Sequence, residues 1–88
     1  MVVKRVCIDV REPYEFQTGH VKNAINIPPS ELLSGAPQLK AIDKNCELIV
    51  YCKTGSRSKV SIQILQQMGF TNLVNGINAD HVTKNYPS

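Results

Sequence analysis

An 88-residue chain has room for one modest core, which excludes a two-domain enzyme, and residues 1–88 are expected to form a single domain. The 42% apolar content is mostly aliphatic, Trp is absent, and five Gly with five Pro suit an ordinary globular domain and argue against disorder. Ten Lys and Arg against seven Asp and Glu give a scattered formal charge of +3, without the basic stripe that nucleic-acid binding demands, though enough to help draw a small dianion into a cleft.

Residues 2–10 are rich in β-branched side chains and predict a buried strand that ends on the charged run Asp9-Val10-Arg11. Lys4 and Arg5 interrupt its apolar stretches, which are too short for a signal peptide or a membrane span. The expectation is a soluble, cytoplasmic chain, or a periplasmic one had a leader been removed. Pro13 then opens a short helix over 14–18, because a proline at a first helical position forfeits no hydrogen bond, and Gly19 stops it. Residues 24–27 read as a short strand closed by Pro28-Pro29.

Ser30 is a helix entry that Gly35 and Pro37 soon break, with 39–42 adding a turn. Leu48-Ile49-Val50-Tyr51 is the clearest strand, continuously apolar as expected when both faces are covered. It runs straight into Cys52. After the loop 52–57, the best helix spans 58–68, with Val60, Ile64 and Met68 at i, i+4, i+8 and Leu65 beside them. Residues 71–74 read as a last strand and Asn75-Gly76 as a turn, while the polar tail that follows, His81 included, receives no element and no role. The alternation predicts an α/β fold, a small parallel sheet flanked by helices, whose site lies at the carboxyl ends of the strands.

Cys52 carries the chemistry. A cysteine between a buried strand and a helix start, in the loop Cys52-Lys53-Thr54-Gly55-Ser56-Arg57-Ser58, can be ringed by inward N–H groups and by roughly half a positive charge from the helix. Such surroundings pull a thiol below its free pKa of about 8.5 and suit the terminal sulfur of a persulfide as well, with no metal and no organic cofactor. Lys53 and Arg57 would bind and orient an anionic donor, Thr54, Ser56 and Ser58 would offer hydroxyl donors, and Gly55 would let the backbone turn. The plainer reading of any cysteine, a small buried hydrophobe, is kept for Cys7 and Cys46. Three cysteines without a Cys-x-x-Cys spacing favour neither a disulfide framework nor a zinc site. His20 is either a general base or, as more often after a helix-ending glycine, a structural hydrogen-bonding residue. Asp9 and Arg11 read as a pair bracing the loop, since buried charges need partners.

Ile8-Asp9-Val10-Arg11-Glu12-Pro13-Tyr14-Glu15-Phe16 resembles the opening signature of the rhodanese homology domain, and Gly19-His20-Val21-Lys22-Asn23-Ala24-Ile25-Asn26-Ile27-Pro28 resembles its second. Ile49-Val50-Tyr51-Cys52, followed by Gly55, Arg57 and Ser58, is similar to its active-site loop. Small size and the lack of Trp look most like its single-domain, phage-shock type. The resemblance implies a rhodanese-like fold and a two-step sulfur transfer: Cys52 takes the outer sulfur of thiosulfate or another sulfane-sulfur donor, releases sulfite, and passes the sulfur to cyanide or a thiol. A sulfur-relay protein is a further implied partner. Two departures stand out. Asn75-Gly76 and then Asp80 replace the Gly-Gly pair and later Trp of many relatives, and the chain starts almost directly at its first strand, as a minimal domain or the processed part of a longer precursor would.

Two rivals remain at this point. Cysteine phosphatases of related fold enclose their phosphate in a loop one residue longer than the four residues between Cys52 and Arg57, and the shorter loop favours sulfur. A binding or relay module that holds sulfur without turnover of its own is the other.

Overall fold

The apolar run before Cys52 is covered on both sides because its strand is internal. The computed structural model describes residues 5–86, in which β1 (Arg5–Asp9), β2 (Ile25–Asn26), β3 (Glu47–Tyr51) and β4 (Leu73–Ile77) form one parallel sheet in the order β2-β1-β3-β4. Helices α1 (Pro13–Gln17), α2 (Pro29–Leu33), α3 (Ser56–Gln67) and α4 (Ala79–Asn85), with a 3-10 turn at Pro37–Leu39, occupy the connections and the C-terminal end. The expected small parallel sheet flanked by helices is what forms.

Alternation along β3 divides the core in two. Leu48 and Val50 join Ile8, Val10, Ile27, Leu65 and Phe70 on one face, while Ile49 and Tyr51 join Val21 and Val82 on the other. The four consecutive residues Leu48 to Tyr51 are all fully buried, each contributing roughly 1.5–3 kcal/mol relative to exposure, and make the central strand the anchor of the fold. The register runs from Arg5 opposite Glu47 to Asp9 opposite Tyr51, so β1 and β3 end level with each other and deliver Asp9 and Cys52 to the same edge.

Several expectations need correction. Residues 2–4 of the first predicted strand lie outside the described residues, and the strand ends at Asp9. The predicted strand 24–27 shrinks to Ile25–Asn26, because the Ala24 N–H turns back to the Val21 carbonyl (2.9 Å). Pro29, not Ser30, opens α2, the fixed φ of proline suiting a first helical turn. The third helix starts at Ser56 instead of Ser58, and its buried face runs Ser58, Ser61, Leu65, leaving Val60 54% exposed. Leu65, Ile64 and Met68 of the predicted stripe do pack on the core, but Val60 does not, and two small hydroxyl residues, Ser58 and Ser61, take the contact at the start of the helix and let it approach the sheet closely.

Asn75-Gly76 is no turn. Both residues lie within β4, where the register shifts so that Val50 faces Asn75 and Tyr51 faces Ile77, with Gly76 in the bulge. A Cβ on Gly76 would stand 2.5 Å from Val82 Cγ2 and 2.8 Å from Ile49 Cγ2, so close packing, not a turn, requires glycine there. The tail that looked structureless forms α4, capped by the Asn78 side chain, which accepts from the His81 N–H (2.8 Å), and anchored by buried Val82.

Candidate active site

Cys52 sits one residue past β3 and still takes part in the sheet, its N–H donating to the Ile77 carbonyl (3.1 Å). Its side chain follows the parity of Val50 into the larger core and is only 2% exposed. Gly55, at φ 95°, turns the chain through the left-handed region that glycine adopts without penalty, and α3 begins at the next residue. The turn folds the loop around the sulfur. The Gly55 N–H donates to Cys52 Sγ at 3.1 Å and the Ser58 N–H at 3.4 Å, with the Thr54 N–H as a third backbone donor and Ser58 Oγ 3.6 Å away. Burial alone would push the Cys52 thiol up. The Ser58 hydroxyl and the N–H groups of Ser58, Thr54 and Gly55 favour the thiolate by more, and the thiol lies below its ordinary value.

Behind the loop stands a residue that the sequence reading passed over. Asn75 Oδ1 accepts from Ser58 Oγ (2.7 Å) and from the Ile77 N–H (3.0 Å), and its Nδ2 donates to the Gly55 carbonyl (3.3 Å). Ile77 itself has φ 71°, and the Asn78 N–H reaches back to the Gly76 carbonyl (2.8 Å), a tight three-residue γ-turn that is strained for a β-branched residue. An amide among apolar strand residues was the available signal, but only the tertiary approach of β4 to the loop gives it meaning.

The predicted site residues divide into two sets. The backbone N–H groups of Thr54 and Gly55, and both the N–H and the hydroxyl of Ser58, gather around the sulfur. Arg57 lies at the rim and is engaged by Glu15 of α1, Nη1 to Oε1 at 2.7 Å and Nη2 to Oε2 at 3.2 Å. Glu15 Oε1 also accepts the Glu12 N–H (3.0 Å) as part of a capping box, and the Arg57 guanidinium, with that backbone bond, lowers its carboxyl to about 2. Lys53, Thr54 and Ser56 have exposed side chains, the last two within 3.2 Å of each other through their hydroxyls.

Asp9 is fully buried and held by Arg11, whose Nη2 is 2.6 Å from Oδ2 and 2.7 Å from the Gly19 carbonyl, the brace expected of that pair. His20 stacks on Phe16 with ring centroids 3.6 Å apart and bonds the Phe16 carbonyl through Nδ1 (2.8 Å), a structural engagement at the end of α1. Cys46 is buried, with Sγ 3.7 Å from the Glu47 carbonyl, and Cys7 is half-buried on the other face. Among the described residues, no group of three His, Cys, Asp or Glu could hold a metal ion, and no helix is long and apolar enough to cross a membrane.

The fold is thus a parallel α/β domain whose central strand ends in a cysteine ringed by backbone N–H groups at a helix start. The chain belongs to the rhodanese-like domain family, whose model matches residues 2–79. It is 41% identical over 68 residues to the thiosulfate sulfurtransferase PspE of Escherichia coli, covering 77% of this chain and 64% of PspE. It is 34% identical over 77 residues to the adenylyltransferase and sulfurtransferase UBA4 of Candida glabrata, covering 78% of this chain and 18% of UBA4. The matched region is thus under two thirds of either relative. A solved structure described as rhodanese with anions from E. coli superposes with a TM-score of 0.77 at 36% identity, over 88% of this chain and 89% of that one. The rhodanese-like architecture expected from the sequence is therefore the observed one.

Proposed function

We propose that this chain, acting as one domain, is a sulfurtransferase that carries sulfane sulfur as a persulfide on Cys52. The observation that carries the reading is the set of N–H donors from Thr54, Gly55 and Ser58 converging on one buried sulfur at the start of α3. The Cys52 thiolate attacks the outer sulfur of thiosulfate, forming the S–S bond as the bond to sulfite breaks and the electron pair leaves with sulfite. Cyanide or a thiolate then takes the terminal sulfur and returns the Cys52 thiolate. Charge balances in both steps with no metal and no cofactor, and the same N–H groups serve thiolate and persulfide alike. Arg57, released from Glu15, orients the anionic donor with its planar fork, and Lys53 adds a mobile charge. A relay protein that delivers or collects the sulfur is a compatible partner.

Thiosulfate should add the mass of one sulfur atom to the intact chain, mapped to the peptide that contains Cys52, and cyanide should remove it. An adduct on Cys7 or Cys46, or efficient hydrolysis of an aryl phosphate at Cys52, would overturn the reading.

A further inference from the structure

We propose that Asn75, on β4, is a positioning residue that decides where the Ser58 hydroxyl hydrogen points and thereby how readily Cys52 gives up its proton. This rests on Cys52 being the reacting thiol. The orientation of the Asn75 amide is fixed by its neighbours. Oδ1 takes the Ile77 N–H at 3.0 Å and Nδ2 gives to the Gly55 carbonyl at 3.3 Å, so turning the amide over would set donor against donor and acceptor against acceptor. The atom facing Ser58 Oγ at 2.7 Å is therefore an acceptor.

Ser58 has one hydroxyl hydrogen and three places to send it: Asn75 Oδ1 at 2.7 Å, the Gly55 carbonyl at 3.0 Å, and Cys52 Sγ at 3.6 Å. With a thiol at Cys52, every group is served in one direction, S–H to Ser58 Oγ and O–H to Asn75. With a thiolate, the N–H groups of Gly55 and Ser58 remain in place, but the hydroxyl reaches the sulfur only by leaving Asn75, its shortest partner. Asn75 thus holds back part of the hydroxyl's help to the thiolate, and with no acceptor at this position the hydroxyl is left with the neutral Gly55 carbonyl and the charged sulfur, of which the thiolate is the stronger acceptor. The proton itself leaves to solvent, so no co-reactant is needed.

Of the charged groups around Cys52, Arg57 of α3 is close enough to feel its charge but is paired to Glu15 of α1. Lys53 of the loop is exposed, and Asp9 at the end of β1 is locked to Arg11. None of these is changed in the variants below.

The test is the pH profile of iodoacetamide labelling at Cys52, read by peptide mass in the full chain and checked by thiolate absorbance. Asn75→Ala should lower the midpoint by roughly half to one unit, about three- to tenfold more thiolate below the midpoint. Ser58→Ala should raise it, and in that background Asn75→Ala should have little effect, because no hydroxyl is left to redirect. Asn75→Asp, which keeps the acceptor and the shape, should raise the midpoint, and by more with Ser58 present than without it. No shift or an upward shift from Asn75→Ala, or shifts of equal size with and without Ser58, would overturn the proposal. Should Asn75→Ala fail to fold, the Asn75→Asp comparison across the two backgrounds decides. Because the readout is titration and not turnover, this can fail while the sulfur adduct forms, and the adduct can be absent while the shift is seen.

Discussion

Cys7 and Cys52 lie on opposite faces of one sheet, Cys7 packed towards the α4 side and Cys52 towards α3. Cys7 is half-buried and opens on a cleft of about 950 Å³ that it shares with His20, Lys22, Glu47 and Tyr86. Burial pushes its thiol up, and the nearby Arg5 offsets only part of that. Cys52 is the less accessible of the two, yet its thiol is lowered, since backbone N–H groups and the Ser58 hydroxyl outweigh the same burial penalty. Access and a cationic neighbour therefore do not lower a thiol here. A turn that aims N–H groups at one point does.

The largest expected effect breaks the comparison outright. Cys52→Ser should abolish thiocyanate formation from thiosulfate and cyanide, while Cys7→Ser should leave it intact, since a hydroxyl forms no persulfide. In wild type, labelling profiles should place the midpoint of Cys52 below the ordinary thiol value and that of Cys7 above it. The reverse order would show that cleft access governs reactivity after all. Arg57→Ala comes next, lowering kcat/KM for thiosulfate by about 1–3 kcal/mol of transition-state stabilisation, roughly five- to 150-fold. Steady-state rates at low thiosulfate equal to wild type would remove Arg57 from donor binding. Lys53→Ala should cost less than Arg57→Ala.

The smallest effect concerns Glu15. Its folded pKa of about 2 lies below the ordinary 4.5, so the pairing with Arg57 contributes stability above the ordinary value and loses it as pH falls towards about 2. Glu15→Gln should lack that acid-side loss of Tm, a difference of at most about 1 kcal/mol for a pair this exposed. The same variant should use thiosulfate slightly better, because Arg57 no longer has to leave a carboxylate. Identical Tm profiles for the two proteins between those pH values would show that the pair contributes nothing.

What the sequence made legible is what local chemistry dictates. Leu48 to Tyr51 could be read because its strand is buried on both faces, and Cys52 because a strand end, a glycine and a helix start adjoin it in the chain. Asn75, Gly76 and Glu15 could not. Their meaning depends on elements that meet only in the fold: β4 against the Cys52 loop, Gly76 against Val82 of α4, Glu15 against Arg57 across 42 positions. The α3 stripe was read correctly at Ile64, Leu65 and Met68 but not at Val60, since the serines Ser58 and Ser61 bury where the helix comes close. Helix α4 was missed because one buried residue, Val82, and one cap anchor it, too little for a periodic pattern.

Because side chains alternate along β3, the face on which the sulfur emerges is a matter of parity, odd or even, with no intermediate setting. Leu48, Val50 and Cys52 share one face and Ile49 and Tyr51 the other, so deleting a single residue within Glu47–Tyr51 would turn the thiol away from α3 while changing composition hardly at all. The mostly exposed connection at 40–45 sets no such parity, so a change of length there costs its own contacts, such as the bond from the Thr71 N–H to the Lys44 carbonyl (3.2 Å), without turning the thiol. Tolerance to insertion and deletion in this chain is therefore divided: greater where a change costs only local contacts, and absent along the five residues of β3 that set which way Cys52 faces.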